Sequence, residues 1–236
     1  MTEKQPIFFI KFGNEKNMKD LLENGIIFCR QIDDLRKRGK ENKTGGDILE
    51  GVLEIKNIRK EDKSILTILD KTSSKEIKIS LNKTQIREYA NNIGNIYSIY
   101  SINLPEIKEE EILLNKKMLK YGTHAIFIRD IGEFLKRIKK EAIKRNLNIN
   151  WGLVDYYDAS KKEVKNLTCF DKSIENIHES EFRIYIPNSK SEKLVLNIGN
   201  IEDIADIYKS EEFMKMRITI KNSNDKLDFT YTTFIR

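Results

Sequence analysis

The segment Glu179-Ser180-Glu181-Phe182-Arg183 holds the residue types best suited to chemistry in this chain. Two carboxylates stand two residues apart at the mouth of an apolar run, Phe182 to Ile186, and strand alternation directs both to one face. Such a pair can divide its labour, one carboxylate binding a ribose hydroxyl and the other orienting a nucleophile or stabilising a cationic transition state. The plain alternative makes Glu179 a solvated turn residue and Arg183 a surface partner for a carboxylate. Tyr121-Gly122-Thr123-His124 adds a histidine at a strand start, and His178 adjoins the carboxylate pair. Imidazoles suit acid–base work near neutral pH, although a lone histidine also serves as a hydrogen-bonded residue at the edge of a core.

A second group of residues suits binding. Arg36-Lys37-Arg38 opens a basic stretch reaching Lys43, and Lys136-Arg137, Lys139-Lys140 and Lys144-Arg145 recur along a helical pattern. Lysines and arginines on a helix face and a nearby loop can contact the phosphates of a nucleic acid or a nucleoprotein complex. The same runs also fit a solvated helix face. The chain carries 43 basic and 37 acidic residues, a net charge of +6, with the two signs interspersed. That excess permits an anionic partner without requiring one.

The rest of the composition bounds the class. At 236 residues, with 39% hydrophobic and 34% charged residues, the chain is long enough for a sizeable core. No apolar run approaches the ~20 residues of a membrane span, and the N-terminus lacks a signal-peptide pattern, so a soluble, cytoplasmic protein is expected. Cys29 and Cys169 lie far apart in apolar stretches and read as free thiols. With two cysteines and the histidines His124 and His178, no zinc-like spacing occurs and no metal is expected. Neither of the two commonest glycine-rich phosphate loops is present.

The elements that must position these residues follow from periodicity. Residues 7–12 read as an apolar strand ending at Lys11, and Asn14 caps a helix that Gly25 terminates. Residues 26–29 form a strand and 32–37 a short helix, after which Arg38 to Asp47, with Gly39, Gly45 and Gly46, reads as a mobile loop. Residues 49–58, 64–69 and 76–81 suggest a meander, followed by a helix from Asn82 to Asn92. Residues 95–102 form a strand rich in β-branched and aromatic residues. Helices are expected over 109–120, 131–145 and 201–208, and strands over 123–128, 150–157, 182–186 and 194–196, with a closing hairpin from Met216 to Phe234. This irregular order predicts a single α+β domain over residues 1–236, with a mixed, largely antiparallel sheet flanked by helices.

Set in order, the segments resemble a widespread uncharacterised bacterial family. Its landmarks match Phe9-Ile10-Lys11-Phe12 with Leu21 to Phe28, then Tyr97 to Ser101 with Met118 to Ile128, then Phe170-Asp171-Lys172 with Glu179-Ser180-Glu181-Phe182-Arg183. The family's Asn-Asp-Pro-Phe-Glu is absent, and Gly46-Asp47-Ile48-Leu49-Glu50-Gly51 stands roughly in its place. The order of residues is also similar, more distantly, to ADP-ribosyltransferase toxins that carry a basic residue on the first strand, a Ser-x-Ser strand and a late Glu-x-Glu. That resemblance implies NAD as cofactor, with Lys11 beside Gly13 on its phosphates, Ser98 supporting the nicotinamide side, Glu181 catalytic and Glu179 positioning the acceptor. Tyr97, Tyr100 or Tyr121 would stack on the nicotinamide, with His124 close by. Here lysine stands where the toxins carry arginine, and Tyr97-Ser98-Ile99-Tyr100-Ser101 where they carry Ser-Thr-Ser. A basic, low-GC-type chain of this size also suits phage–host conflict, as a toxin or defence effector or as an inhibitor of an RNA-guided nuclease.

Overall fold

The computed structural model describes residues 5–69, 75–90, 94–104, 114–187, 193–223 and 226–232. The chain opens with β1 (Gln5–Gly13), α1 (Glu15–Asn24), β2 (Ile26–Gln31) and α2 (Ile32–Lys40). Strands β3 (Val52–Ile58), β4 (Ile65–Leu69), β5 (Glu76–Ser80), β6 (Thr84–Tyr89), β7 (Asn95–Leu104) and β8 (His124–Ile128) lead to α3 (Ile131–Lys144). Then come β9 (Asn150–Leu153), β10 (Asp155–Tyr157), β11 (Glu163–Val164), β12 (Asp171–Ser173), β13 (Glu181–Ile186), β14 (Leu194–Asn197) and β15 (Ala205–Lys209). The short helix α4 (Ser210–Phe213) precedes a hairpin of β16 (Arg217–Ser223) and β17 (Lys226–Thr232). The architecture is α+β, as expected, around an antiparallel sheet ordered β14-β2-β7-β1-β8-β15, with β13 and then β9 added beside β7.

Apolar residues cover both faces of this sheet, which explains why β1 reads as a continuous apolar run. Phe9 packs with Leu21 of α1, Phe134 and Ile138 of α3, Ile99 and Phe182 on one face. Phe8, Ile10 and Phe12 pack with Ile102, Phe127 and Phe213 on the other. Helix α1 forms where its signals lie: the Asn14 side chain accepts from the Asn17 amide, and Gly25 closes the helix at φ 62°. Both cysteines are free thiols, and burial pushes that of Cys29 up to about 12.

Several expectations are corrected. Residues 84–89 form a strand rather than a helix, because β6 finds a ladder partner in β3, from Thr84 opposite Ile58 to Tyr89 opposite Val52. The expected meander is replaced by this pairing and a separate β4–β5 hairpin. Ile201, Ile204 and Ala205 have helical spacing, yet a turn tucks the isoleucines into the core and 205–209 pairs with β8 as a strand. Of the helix expected over 109–120, residues 109–113 lie outside the described residues, and Lys116–Tyr121 form a 3-10 turn. Residues 150–157 divide at Val154 into two strands with different partners.

The stretch from Arg38 to Asp47 is not an open loop. Helix α2 continues to Lys40, and its Gly39 lies directly against the backbone of Asp47 and Ile48: a Cβ there would fall 2.3 Å from the Ile48 amide nitrogen. Helix propensity alone predicts that Gly39→Ala stabilises by about 1 kcal/mol. The contact reverses the sign. Because the obstacle is backbone, Gly39→Ala is expected to cost about 1–3 kcal/mol, read as a lower melting temperature.

Candidate functional site

The residue before β13, Ser180, takes a left-handed conformation at φ 37° between a 3-10 turn, Ile174–Glu179, and the strand. Its hydroxyl donates to the Ser101 carbonyl at 2.7 Å, and its own carbonyl accepts from the Ser101 amide. This bend, rather than strand alternation, brings the two carboxylates together on the ammonium of Lys172 in β12. Lys172 donates to Glu181 at 2.8 Å and to Glu179, whose second oxygen accepts from the Tyr121 hydroxyl.

Arg183 is wholly buried, which corrects the reading of it as a surface residue. Its Nε donates to Glu181 at 2.7 Å, and Nη1 and Nη2 donate to the two oxygens of Glu50, each at 2.8 Å. Nη1 also reaches the Cys169 carbonyl. Three carboxylates (Glu50, Glu179 and Glu181) thus share two cations. Burial alone would raise the Glu181 carboxyl, but Arg183 and Lys172 outweigh it and hold it well below the usual range. Burial pushes the Lys172 ammonium down, and Glu181 and Glu179 more than reverse this. Glu50 and Lys172 escape a reading of the sequence, since Glu50 meets Arg183 only across 133 residues. Lys172 lies in one of the segments on which the resemblance rests, whereas Glu50 lies where the expected Asn-Asp-Pro-Phe-Glu is absent.

Lys11 reaches the same cavity from the other side of the sheet. Alternation along β1 puts it with Phe9, whereas alternation along β13 puts Glu181 and Arg183 opposite Phe182 and Ile184. The two meet because the sheet forks. One edge of β7 pairs with β1 from Tyr100 to Leu104 and with β2 at Asn95 and Ile96, while β13 takes the other edge. Between them, Tyr97, Ser98 and Ile99 have no strand beside them on the forked edge among the described residues. Lys11 lies in this gap, donating to the Ser98 carbonyl, with its ammonium 4.4 Å from the centre of the Tyr97 ring. No carboxylate pairs with Lys11 among the described residues. Burial lowers its pKa to about 8, against a smaller opposing pull from Glu181. The Tyr97 hydroxyl is buried and without a hydrogen-bond partner among the described residues.

The cavity between fork and carboxylates has a volume of about 690 Å³, within the range typical of small-molecule sites. Lys11, Gly13, Tyr97, Ser98, Tyr100, Tyr121, Glu179 and Glu181 all line it, with Arg30, Arg38 and Glu50. Gly13 and Gly122 touch backbone to backbone, since a Cβ on Gly122 would lie 2.1 Å from Gly13. His124 is not part of this lining. It sits beside Gly13 in the β1–β8 ladder, its Nδ1 3.0 Å from the Thr123 hydroxyl.

The basic residues expected to meet nucleic acid are spread over two helices and partly neutralised. Arg36 pairs with Asp33 and stacks on Tyr89 at 4.4 Å, Arg38 donates to the Thr44 carbonyl, and Lys144 lies 3.8 Å from Glu141. Lys37, Lys139 and Lys140 carry no side-chain partner among the described residues.

Fold and site together define an α+β protein whose antiparallel sheet forks over a charged cavity. No family model matches the chain, and no characterised protein or solved structure is significantly similar to it. Among the described residues no cluster of histidine, cysteine and acidic side chains could hold a metal, and no helix is long and apolar enough to cross a membrane.

Proposed function

We propose that the cavity binds NAD and that the protein cleaves its nicotinamide–ribose bond, transferring ADP-ribose to an acceptor. The observation that carries this reading is that Lys11, Ser98 and Glu181, on the neighbouring strands β1, β7 and β13, line one cavity. The cavity is also polarised. The Lys11 ammonium, which has no carboxylate partner among the described residues, and the Tyr97 hydroxyl suit a phosphate oxygen, and the Glu179–Glu181 pair suits a ribose acquiring positive charge.

In this mechanism Glu181, kept ionised by Arg183 and Lys172, stabilises the cationic sugar as the C1′–N bond breaks and its electron pair leaves with nicotinamide. A nucleophile from the acceptor, or water, then bonds to C1′ and gives up its proton to solvent. Glu179, held by Tyr121 and Lys172, faces the acceptor side. Ser98 contributes the carbonyl that fixes Lys11.

Nicotinamide release from NAD by the full chain tests the reading directly. Release, or labelled transfer to a protein, DNA or RNA acceptor, is expected; its absence overturns the proposal. Lys11→Met should raise KM more than it lowers kcat. The pH dependence has a definite sign. Lys11 is protonated below about pH 8 and loses its charge above it, so affinity for NAD should fall as pH rises through about 8. A profile unchanged between wild type and Lys11→Met would remove Lys11 from the binding step.

A further inference from the structure

A second groove, of about 640 Å³, lies away from the fork, where the ends of β3 and β6 meet the turns at residues 158–160 and 173–175. Arg59, Lys60, Lys83 and Arg87 line it. Each of the four lacks a carboxylate partner within ion-pair distance among the described residues, unlike Arg36, Arg137 and Lys144 elsewhere on the surface. Glu61 and Glu175 also line the groove and leave it net positive.

The polar part of the groove is built rather than incidental. Arg87 Nε donates to Gln85 at 2.6 Å, Gln85 donates to Asn57 at 2.8 Å, and Asn57 donates to the Ala159 carbonyl at 2.8 Å. This chain fixes one edge of the Arg87 guanidinium and leaves its two terminal nitrogens without a partner among the described residues. Ser173, only 2% exposed, lines the groove, and its buried hydroxyl has no hydrogen-bond partner among the described residues. A buried hydroxyl left unpaired is destabilising, and a ligand that reaches it relieves that.

We infer that this groove binds a phosphate-bearing ligand, with Arg59, Lys60, Lys83 and Arg87 on phosphate oxygens and Ser173 on a polar group of the same molecule. Guanidiniums present paired N–H donors that match phosphate oxygens, and four unpaired cations suit several phosphates better than a single carboxylate. The chemistry is shared by a nucleic-acid backbone and a free nucleotide.

Fluorescence anisotropy of the full chain, with a labelled single-stranded oligouridylate and separately with a fluorescent adenine nucleotide, distinguishes the sources. Binding of the oligonucleotide with a steep salt dependence supports a backbone ligand; binding of the nucleotide alone supports the smaller one. In either case Arg59→Gln with Arg87→Gln should weaken binding at least about tenfold. Ser173→Ala should weaken it while leaving the melting temperature unchanged or higher, because the hydroxyl has no partner to lose. Lys11→Met should leave binding of the oligouridylate intact, which separates this groove from the cavity at the fork. The inference is overturned if neither probe binds, if the double arginine variant binds as well as wild type, or if only Lys139→Glu with Lys140→Glu abolishes binding.

Discussion

Arg183→Met is expected to lower the stability of the protein by about 3–5 kcal/mol, the cost of breaking a buried ion pair from one side. That is a large share of the roughly 5–15 kcal/mol that holds a typical domain together. The methionine fills similar space, so the loss is electrostatic. Glu50 gives up both of its arginine bonds and Glu181 one of its two cations, in a place where both carboxylates are nearly buried. Glu50→Met placed on the same chain removes the stranded charge and should recover at least half of the loss. Chemical denaturation of wild type, Arg183→Met and the double variant measures the coupling. Equal losses in single and double variants would show that packing, not the buried charge, governs the site. The same network predicts acid sensitivity. Glu181 is held below its usual value near 4.5, so its contribution is complete above that value and is lost as pH falls toward the lower folded value.

Glu181→Gln is expected to reduce nicotinamide release about a hundred- to a thousand-fold, the usual effect of removing one preorganised electrostatic group from an active site. Glutamine keeps the shape and an acceptor oxygen for Lys172, but not the negative charge. The fall should appear in kcat, since the charge acts on a cation that exists only as the bond breaks. Because the substitution also disturbs Arg183, melting temperature must be read alongside. Glu179→Gln provides the comparison: it alters a less central carboxylate and keeps one acceptor oxygen, for Tyr121 or for Lys172. A Glu181→Gln protein that is folded and releases nicotinamide at the wild-type rate would end the transferase reading.

What could be read in advance was local. The apolar run of β1, the Asn14 and Gly25 boundaries of α1 and the facing pattern of α3 are set by residues within a few positions of one another. Residues 84–89 and 205–209 were misassigned because both depend on a distant partner, β3 in one case and β8 in the other. The site followed the same division. Glu179, Glu181, Lys11 and Ser98 stood out by type and order, and they line one cavity. Their convergence depends on Ser180 in a left-handed turn and on a sheet that divides beside Ser98. Neither has a signature in sequence, because serine rarely takes that conformation and a fork is made by the absence of pairing. Arg183 showed as a charge, but its burial depends on Glu50, far upstream.

The divided sheet also sets the order in which the molecule can be assembled. β7 joins β1 on one edge and β13 on the other, across long stretches of chain. Contacts so distant carry a loop-closure cost before they return any stabilisation, and chains dominated by them fold slowly. On a ribosome, β1, β2 and β7 emerge well before β13. Until β13 docks, Glu50 has no arginine and Lys172 lacks Glu181. The charged floor of the cavity is therefore among the last features of the main sheet to form, and a nascent chain stalled before β13 would hold the fork without the carboxylate that faces it.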